Sequence, residues 1–413
     1  MYRRNIEQHI KTALKDTPVV FLNGARQTGK TTLVQKIVQD SPSATYLTFD
    51  DAAVLAAAIH DPAGFLQGLP GMAVIDEVQK APALFPAIKA SVDRNRKPGR
   101  FLLTGSANIL LLPKISESLA GRMEIVSLWP LSQGELEGGQ EDFISRLFKA
   151  TPFRAGQIAS RKNDIGQKVL CGGFPEAVGR KDAERRRAWF GSYLTSILQR
   201  DVRDLAHIEG LSEMPRLLSI LAARIGGHLN MADISRAIGI PHSTLKRYLA
   251  ILETTFLVRT IPSWSANLST RLVKASKLYL CDSGLAAYLN GVNHLTYRDN
   301  SPQKGPLFEN FVLAELLKQA SWSKTPVTLS HFRTSTGREV DFVVEAADGR
   351  LAGMEVKAAS TARSDDFDGL KELAHHLKSR FSQGVVLYAG DSIIPFGDRL
   401  WAVPVEDLWR TEE

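Results

Sequence analysis

The most direct chemistry in this 413-residue chain lies near its start, where Gly24, Ala25, Arg26, Gln27, Thr28, Gly29, Lys30 and Thr31 fit the spacing G-x-x-x-x-G-K-[ST] and Thr32 follows. An apolar run over 17–23 precedes them and an amphipathic stretch over 31–38 follows, the strand-to-helix setting of a phosphate-binding loop. Glycine lets the backbone close around a polyphosphate, while successive amide N–H groups and the helix N-terminus face the anion. Lys30 brings a cation to the β- and γ-phosphates, and Thr31 is placed to ligate Mg²⁺. The spacing predicts an ATP site built from Gly24 to Thr32.

A second motif supplies the acids that phosphoryl transfer needs. The apolar strand over 72–75 ends in Asp76 and Glu77, a Walker B pattern in which Asp76 holds Mg²⁺ through water and Glu77 polarises the attacking water. A third strand, over 100–108, ends in polar residues. Ser106 is the predicted γ-phosphate sensor, Asn108 is the alternative, and a helix N-cap is an equal reading for either. Arg122, just before the last core strand over 123–129, is the candidate arginine finger. A finger in trans requires a homo-oligomer, and a salt bridge inside the subunit is the competing reading. Leu136 to Gln140 has the letters of the ABC-transporter signature, yet it follows Asp76 by 60 residues instead of preceding it, and it reads as a loop.

The elements that must position these residues divide the chain into four. Residues 1–135 alternate short apolar strands with helical stretches, predicting an α/β P-loop core with a parallel sheet. Residues 136–205 read as a helical lid. Residues 206–299 read as a winged helix-turn-helix and connector: one helix over 231–238, a turn at Gly239 to Pro241, and a second helix over 243–252 with Ser243 as N-cap. His242, Thr244, Lys246 and Arg247 face outward there, toward a DNA major groove or a protein partner.

Residues 300–413 carry a second carboxylate set. Glu309 lies in a predicted helix, Asp341 in a strand, and Glu355 and Lys357 at the end of the next strand. Strand alternation sends Glu355 and Lys357 to one face and Val356 to the other. Asp341, Glu355 and Glu309 are candidate metal ligands and Lys357 the candidate partner of an attacking water, the apparatus of a phosphodiesterase. A structural ion pair between Glu355 and Lys357 is the competing reading.

Composition excludes several classes. Hydrophobic residues make up 44% and charged residues 23% of the chain, the values of an ordinary globular protein. No apolar run approaches the roughly 18 residues of a membrane span, and Met1 to Arg4 do not lead into a signal-peptide core. A cytoplasmic, membrane-free protein is expected. Two cysteines, Cys171 and Cys281, are too few for a disulfide framework. The net charge of +7 suits a polyanionic partner such as DNA.

In this order the motifs resemble those of prokaryotic AAA+-type ATPases, near the archaeal ATPase branch, that carry a C-terminal domain long labelled as of unknown function. The matching segments are 22–32, 74–79, 103–108, 119–122, 172–176, 279–285, 339–342 and 354–357. The resemblance implies an AAA-type core, a winged helix and a C-terminal restriction-endonuclease-like domain of the PD-(D/E)xK type. It carries Gly24, Gly29, Lys30, Thr31, Asp76 and Glu77 over as the ATP and Mg²⁺ site, and Glu309, Asp341, Glu355 and Lys357 as the nuclease-like quartet. Two functions follow: an ATPase whose hydrolysis drives conformational change on or near DNA, or a nucleotide-gated DNA- or protein-binding switch with negligible turnover. Glu77 favours the first, because a pure switch has little need of a carboxylate that orients water.

Overall fold

The computed structural model describes residues 2–106, 119–158, 165–202, 211–266, 274–298, 301–334 and 336–410; Asn108, and Arg271, which with Lys246, Arg247 and Arg259 is expected to meet phosphates of DNA, lie outside them. The first sheet is formed by β1 (Val19–Asn23), β2 (Ala44–Thr48), β3 (Met72–Asp76), β4 (Phe101–Gly105) and β5 (Met123–Ser127), in the order β2-β3-β4-β1-β5 and parallel throughout. Alternation explains its two cores. Val19, Phe21, Ala73, Ile75, Phe101 and Leu103 pack to one side with the helix Leu84–Arg94. Val20, Leu22, Val74, Leu102 and Val126 pack to the other, under Leu33, Val34 and Ile37 of the helix Lys30–Gln39. Both faces are buried, as a parallel sheet requires, and each large side chain so enclosed contributes about 1.5–3 kcal/mol. The order sets β4 between the strand that feeds the phosphate loop and the strand that ends in the acid pair.

The middle of the chain keeps the expected helix Met231–Ile238, ended by Gly239 in the left-handed conformation. The next helix spans His242–Thr254, with Pro241 at the N-cap and Ser243 inside the first turn instead of capping it. Proline fits this end because the first N–H groups of a helix have no intrahelical acceptor. An antiparallel hairpin follows, β7 (Val258–Ile261) with β8 (Lys277–Leu280). His242, Lys246 and Arg247 are exposed, while Leu245, Tyr248, Leu249 and Leu252 are buried.

A second sheet combines β6 (Gly156–Gln157), β9 (Val327–Arg333), β10 (Glu339–Ala346), β11 (Leu351–Lys357), β12 (Phe381–Tyr388), β13 (Ser392–Gly397) and β14 (Leu400–Pro404), in the order β6-β13-β14-β12-β11-β10-β9. The helix Lys304–Trp322 covers one face and the helix Asp368–Leu377 the other. Part of the segment read as a lid joins this sheet. β6 pairs with β13, the Arg146 guanidinium donates to the Asp407 carbonyl at 2.6 Å, and Ser382 donates to the Leu147 carbonyl at 2.8 Å.

A buried polar junction links the two sheets beneath the phosphate loop. Arg4 donates to the carbonyls of Thr28 (2.7 Å) and Trp129 (2.6 Å) and to the Glu135 carboxylate (3.1 Å). Glu315, from the helix Lys304–Trp322, accepts from the Gln133 amide at 2.9 Å and from Lys318 at 2.6 Å, and Lys318 also donates to the Leu131 carbonyl. Glu141 accepts from Asn5, Ser132 and the Gly134 amide. Burial, followed by the charges of Glu315 and Glu135, pushes the Glu141 carboxyl up to about 8 from an ordinary 4.5. Because its folded value lies above its unfolded one, Glu141 contributes stability that is complete below about pH 4.5 and lost as pH rises toward 8. The urea midpoint of the wild type is expected to fall between pH 5 and pH 8, and that of Glu141→Gln to fall less steeply; parallel pH profiles would show that Glu141 is not the group responsible.

Candidate active site

The loop between β1 and the helix Lys30–Gln39 is shaped by two glycines. Gly24 has φ 152°, and a Cβ there would lie 2.2 Å from the Leu128 carbonyl oxygen. Gly29 is the N-cap in the left-handed conformation and brings no side chain onto the first amides of the helix, which leaves them turned toward an anion. Gln27 also has a positive φ, 60°. Lys30 is buried, and its ammonium donates to the carbonyls of Gly24 (2.9 Å) and Ala25 (2.8 Å).

Asp76 is 1% exposed at the end of β3 and is held entirely by hydroxyls. Thr31 donates to Oδ2 at 2.8 Å, Tyr46 to the same oxygen at 3.1 Å, and Thr104 to Oδ1. Burial, reinforced by the charge of Asp76, pushes the Tyr46 phenol up to about 12, so it remains a donor. An all-oxygen set with one carboxylate is what Mg²⁺ uses beside nucleotide phosphates, so Thr31 and Asp76 fit that ion. When bound, it neutralises charge along the phosphates.

Glu77 follows in the left-handed region at φ 58°, a conformation that costs a residue with a side chain about 1–3 kcal/mol. Its backbone N–H donates to Thr104 Oγ1 at 3.1 Å. Thr104 thus uses one hydroxyl to donate to Asp76 and to accept from Glu77, which sets the angle between the two acids. The Gln79 amide donates to the Glu77 carboxylate and, at 3.1 Å, to Ser106 Oγ. Glu77, Gln79 and Ser106 therefore share one cluster at the tips of β3 and β4.

Arg122 is elsewhere. It pairs with Asp93 and donates to the Ala120 carbonyl at 3.0 Å, at the start of β5. The β1–β5 register puts that end about one strand, roughly 17 Å, from the phosphate loop of its own chain.

The second carboxylate set is also assembled, with an unforeseen member. Phe342 pairs with Met354 where the β10–β11 ladder ends, and one residue beyond it Asp341 lies in a bulge of β10 against β9. Asp341 Oδ2 accepts the Val356 N–H at 3.0 Å, a side chain in place of a ladder carbonyl. Glu355 accepts from Lys357 at 2.8 Å. Lys277 of the hairpin donates to Asp341 at 2.8 Å and to Glu309 at 3.0 Å, and Tyr279 donates to Glu309. Burial and the charge of Asp341 raise the Glu309 carboxyl to about 7; the same causes raise Glu355 to about 8. Among the described residues, no three His, Cys, Asp or Glu side chains form a metal-ligand group. Where Glu309, Asp341 and Glu355 were expected to hold a metal, a lysine ammonium bridges the first two. The residues present do not fit a divalent ion while it is there.

Several of these residues escaped the sequence reading. Thr104 carried the signal of a lone hydroxyl in an otherwise apolar strand. Arg4, Tyr46 and Lys277 carried none, because each acts on a partner distant in sequence, and Gln79, inside the segment 74–79, carried no mark of its contact with Glu77.

A phosphate loop after β1 and an acid pair after β3, with β4 between them, define a P-loop ATPase of the AAA type. Comparison agrees: the family described as AAA domain matches residues 16–137. Two domains of unknown function, DUF8612 and DUF4143, match 162–296 and 304–408. The "uncharacterized protein Rv2008c" of Mycobacterium tuberculosis is 31% identical over 99% of this chain and 85% of its own length. The chain belongs to the family of that protein. The "uncharacterized protein MJ1544" of Methanocaldococcus jannaschii is 23% identical over 76% of this chain and 70% of its own length. Among solved structures, the Walker-type ATPase PABY2304 of Pyrococcus abyssi is similar with a TM-score of 0.42 and 15% identity, over 70% of this chain and 96% of that one. Among the described residues, no helix is long and apolar enough to cross a membrane.

Lys30→Ala is expected to lose ATP binding in a fluorescent-nucleotide titration, having lost the cation of the loop. Thr104→Val is expected to bind ATP normally and to hydrolyse it about 10-fold or more slowly, because Asp76 and Glu77 lose their shared hydroxyl. Wild-type turnover by Thr104→Val would remove that hydroxyl from the site's function.

Proposed function

We propose that the chain is an ATP hydrolase whose cycle moves its middle and C-terminal segments, on or beside DNA. The observation that carries this reading is Glu77, kept in a costly backbone conformation beside Asp76 by Thr104. Lys30 leaves the carbonyls of Gly24 and Ala25 for the β- and γ-phosphates, and the loop amides of 24–32 complete their cradle. Glu77 takes a hydrogen bond from the attacking water and turns its lone pair toward the γ-phosphorus. Ser106 senses that phosphate through Gln79. Arg122 serves the site of a neighbouring subunit in a homo-oligomer, a role for which its distance from its own loop leaves it suited.

A second reading is favoured by Gln79. Its amide occupies the Glu77 carboxylate, and a chain that never released this contact would be a nucleotide-gated switch with negligible turnover. For DNA, the support is the net charge of +7 and the exposed His242, Lys246, Arg247 and Arg259 on the helix-turn-helix and hairpin. We propose the boundaries 1–135, 136–205, 206–299 and 300–413 for the four segments, the last with a nuclease-like fold.

The test is steady-state hydrolysis with and without duplex DNA over a range of salt. ATP is expected to turn over and DNA to raise the rate. The logarithm of DNA affinity should fall with the logarithm of salt with a slope of roughly −3, for phosphate contacts by Lys246, Arg247 and Arg259. The double change Lys246→Ala and Arg247→Ala should reduce that slope by about 2. No turnover under any condition would favour the switch, and an affinity indifferent to salt would favour a protein partner.

A further inference from the structure

The middle of the chain holds a cavity that neither the ATP site nor the C-terminal carboxylate set uses. It measures about 290 Å³, near the lower end of the roughly 300–1,000 Å³ usual for small-molecule pockets and about ten waters' share of the liquid. Three helices wall it: Ile165–Cys171, Ala183–Ile197 and Ser283–Leu289. Two glycines let them approach. A Cβ on Gly284 would lie 2.5 Å from the Cys171 carbonyl oxygen, and one on Gly191 would lie 2.8 Å from the Tyr288 hydroxyl. Tyr288 is thereby laid against the helix Ala183–Ile197, with the Phe190 ring centroid at 6.1 Å and the Arg187 guanidinium 5.3 Å from its own centroid.

The lining divides by chemistry. Phe190, Ala287 and Val292 are buried and give it an apolar surface. Lys181, Arg186 and Arg187 bring three positive charges, and among the described residues no aspartate or glutamate lines the cavity. Arg186 is 8% exposed, and a charged side chain so buried is almost always paired. Here its Nε donates to the Ala177 carbonyl at 3.2 Å and its Nη2 to the Arg180 carbonyl at 2.8 Å, bonds that orient the guanidinium without neutralising it. Among the described residues, none of the three cations forms an ion pair. A buried, oriented guanidinium with no acid opposite it is one half of a charge-assisted contact.

We propose that this cavity binds a small organic anion, an apolar or aromatic body that carries one carboxylate or phosphate head. The body replaces water against Phe190, Ala287 and Val292, and the head supplies the negative charge that Arg186 lacks, with Lys181 and Arg187 adding to the attraction. A DNA backbone would leave the apolar surface unfilled, so a small ligand matches more of the lining. The proposal is independent of hydrolysis at the phosphate loop.

The test is isothermal titration of the full chain with 2-naphthoate and with 2-naphthyl phosphate, using neutral 2-naphthamide as the matched control. At least one anion is expected to bind one-to-one and about 10-fold or more tightly than the amide, because bonds to a charged head are the strong ones. The tighter of the two identifies the head. The double change Lys181→Gln with Arg187→Gln, at two exposed positions, should weaken that anion about 10-fold or more, and Arg186→Gln at least as much. Lys30→Ala should bind it as the wild type does, which separates the cavity from the phosphate loop. Near-ultraviolet circular dichroism checks the fold of each variant, and should Arg186→Gln be unfolded, the double change decides. No binding of either anion, equal binding of anion and amide, or wild-type affinity in the folded double variant would overturn the proposal. Displacement of the bound anion by duplex DNA would also overturn it, by assigning the three cations to a nucleic-acid surface.

Discussion

The buried carboxylate of Asp76 is the constraint around which the ATP site is organised. A carboxyl group with 1% exposure is tolerable only when its oxygens are supplied with donors, and here each donor comes from a different element. Thr31 begins the loop helix, Tyr46 lies in β2, and Thr104 ends β4. Displacing any of these elements would strand a buried charge, so the carboxylate locks loop, helix and three strands into one relative position. Glu77 inherits its place from that lock, since Thr104 reaches both acids.

The second centre is built on the same physics with the opposite solution. Asp76 is satisfied by neutral hydroxyls, which leaves its charge available to a metal. Asp341 and Glu309 share an ammonium, beside the Val356 N–H on the first and the Tyr279 hydroxyl on the second. The helix Lys304–Trp322 spans the distance between the centres: Glu315 and Lys318 hold the segment that also contacts Arg4 beneath the phosphate loop, and Glu309 lies six residues earlier, about 9 Å along the axis. A single helix thus touches both.

Legibility in the sequence followed the distance over which a residue acts. The phosphate loop and the acid pair are contiguous, and the strands around them were visible as apolar runs within a residue or two of β1, β3 and β5. The helix Met231–Ile238 and its glycine stop were visible for the same reason. The joint between segments was not: β6 is two residues long and takes its identity from pairing with β13, more than 200 positions away. Arg4 meets Glu135 and Lys277 meets Asp341 through folding alone, and one lysine among the 51 basic residues carries no local mark of such a role. The carboxylates of the C-terminal domain were legible as a set, whereas the cation they hold was a property of the neighbouring domain.

The central claim is that Glu77 makes this chain a hydrolase. Its most direct test is single-turnover cleavage of ATP already bound, comparing wild type with Glu77→Gln at equal occupancy. The wild type should convert its bound ATP to ADP, and the variant should retain it uncleaved with a rate lower by about 10²-fold or more. Equal rates in the two proteins, or intact ATP in both, would contradict it.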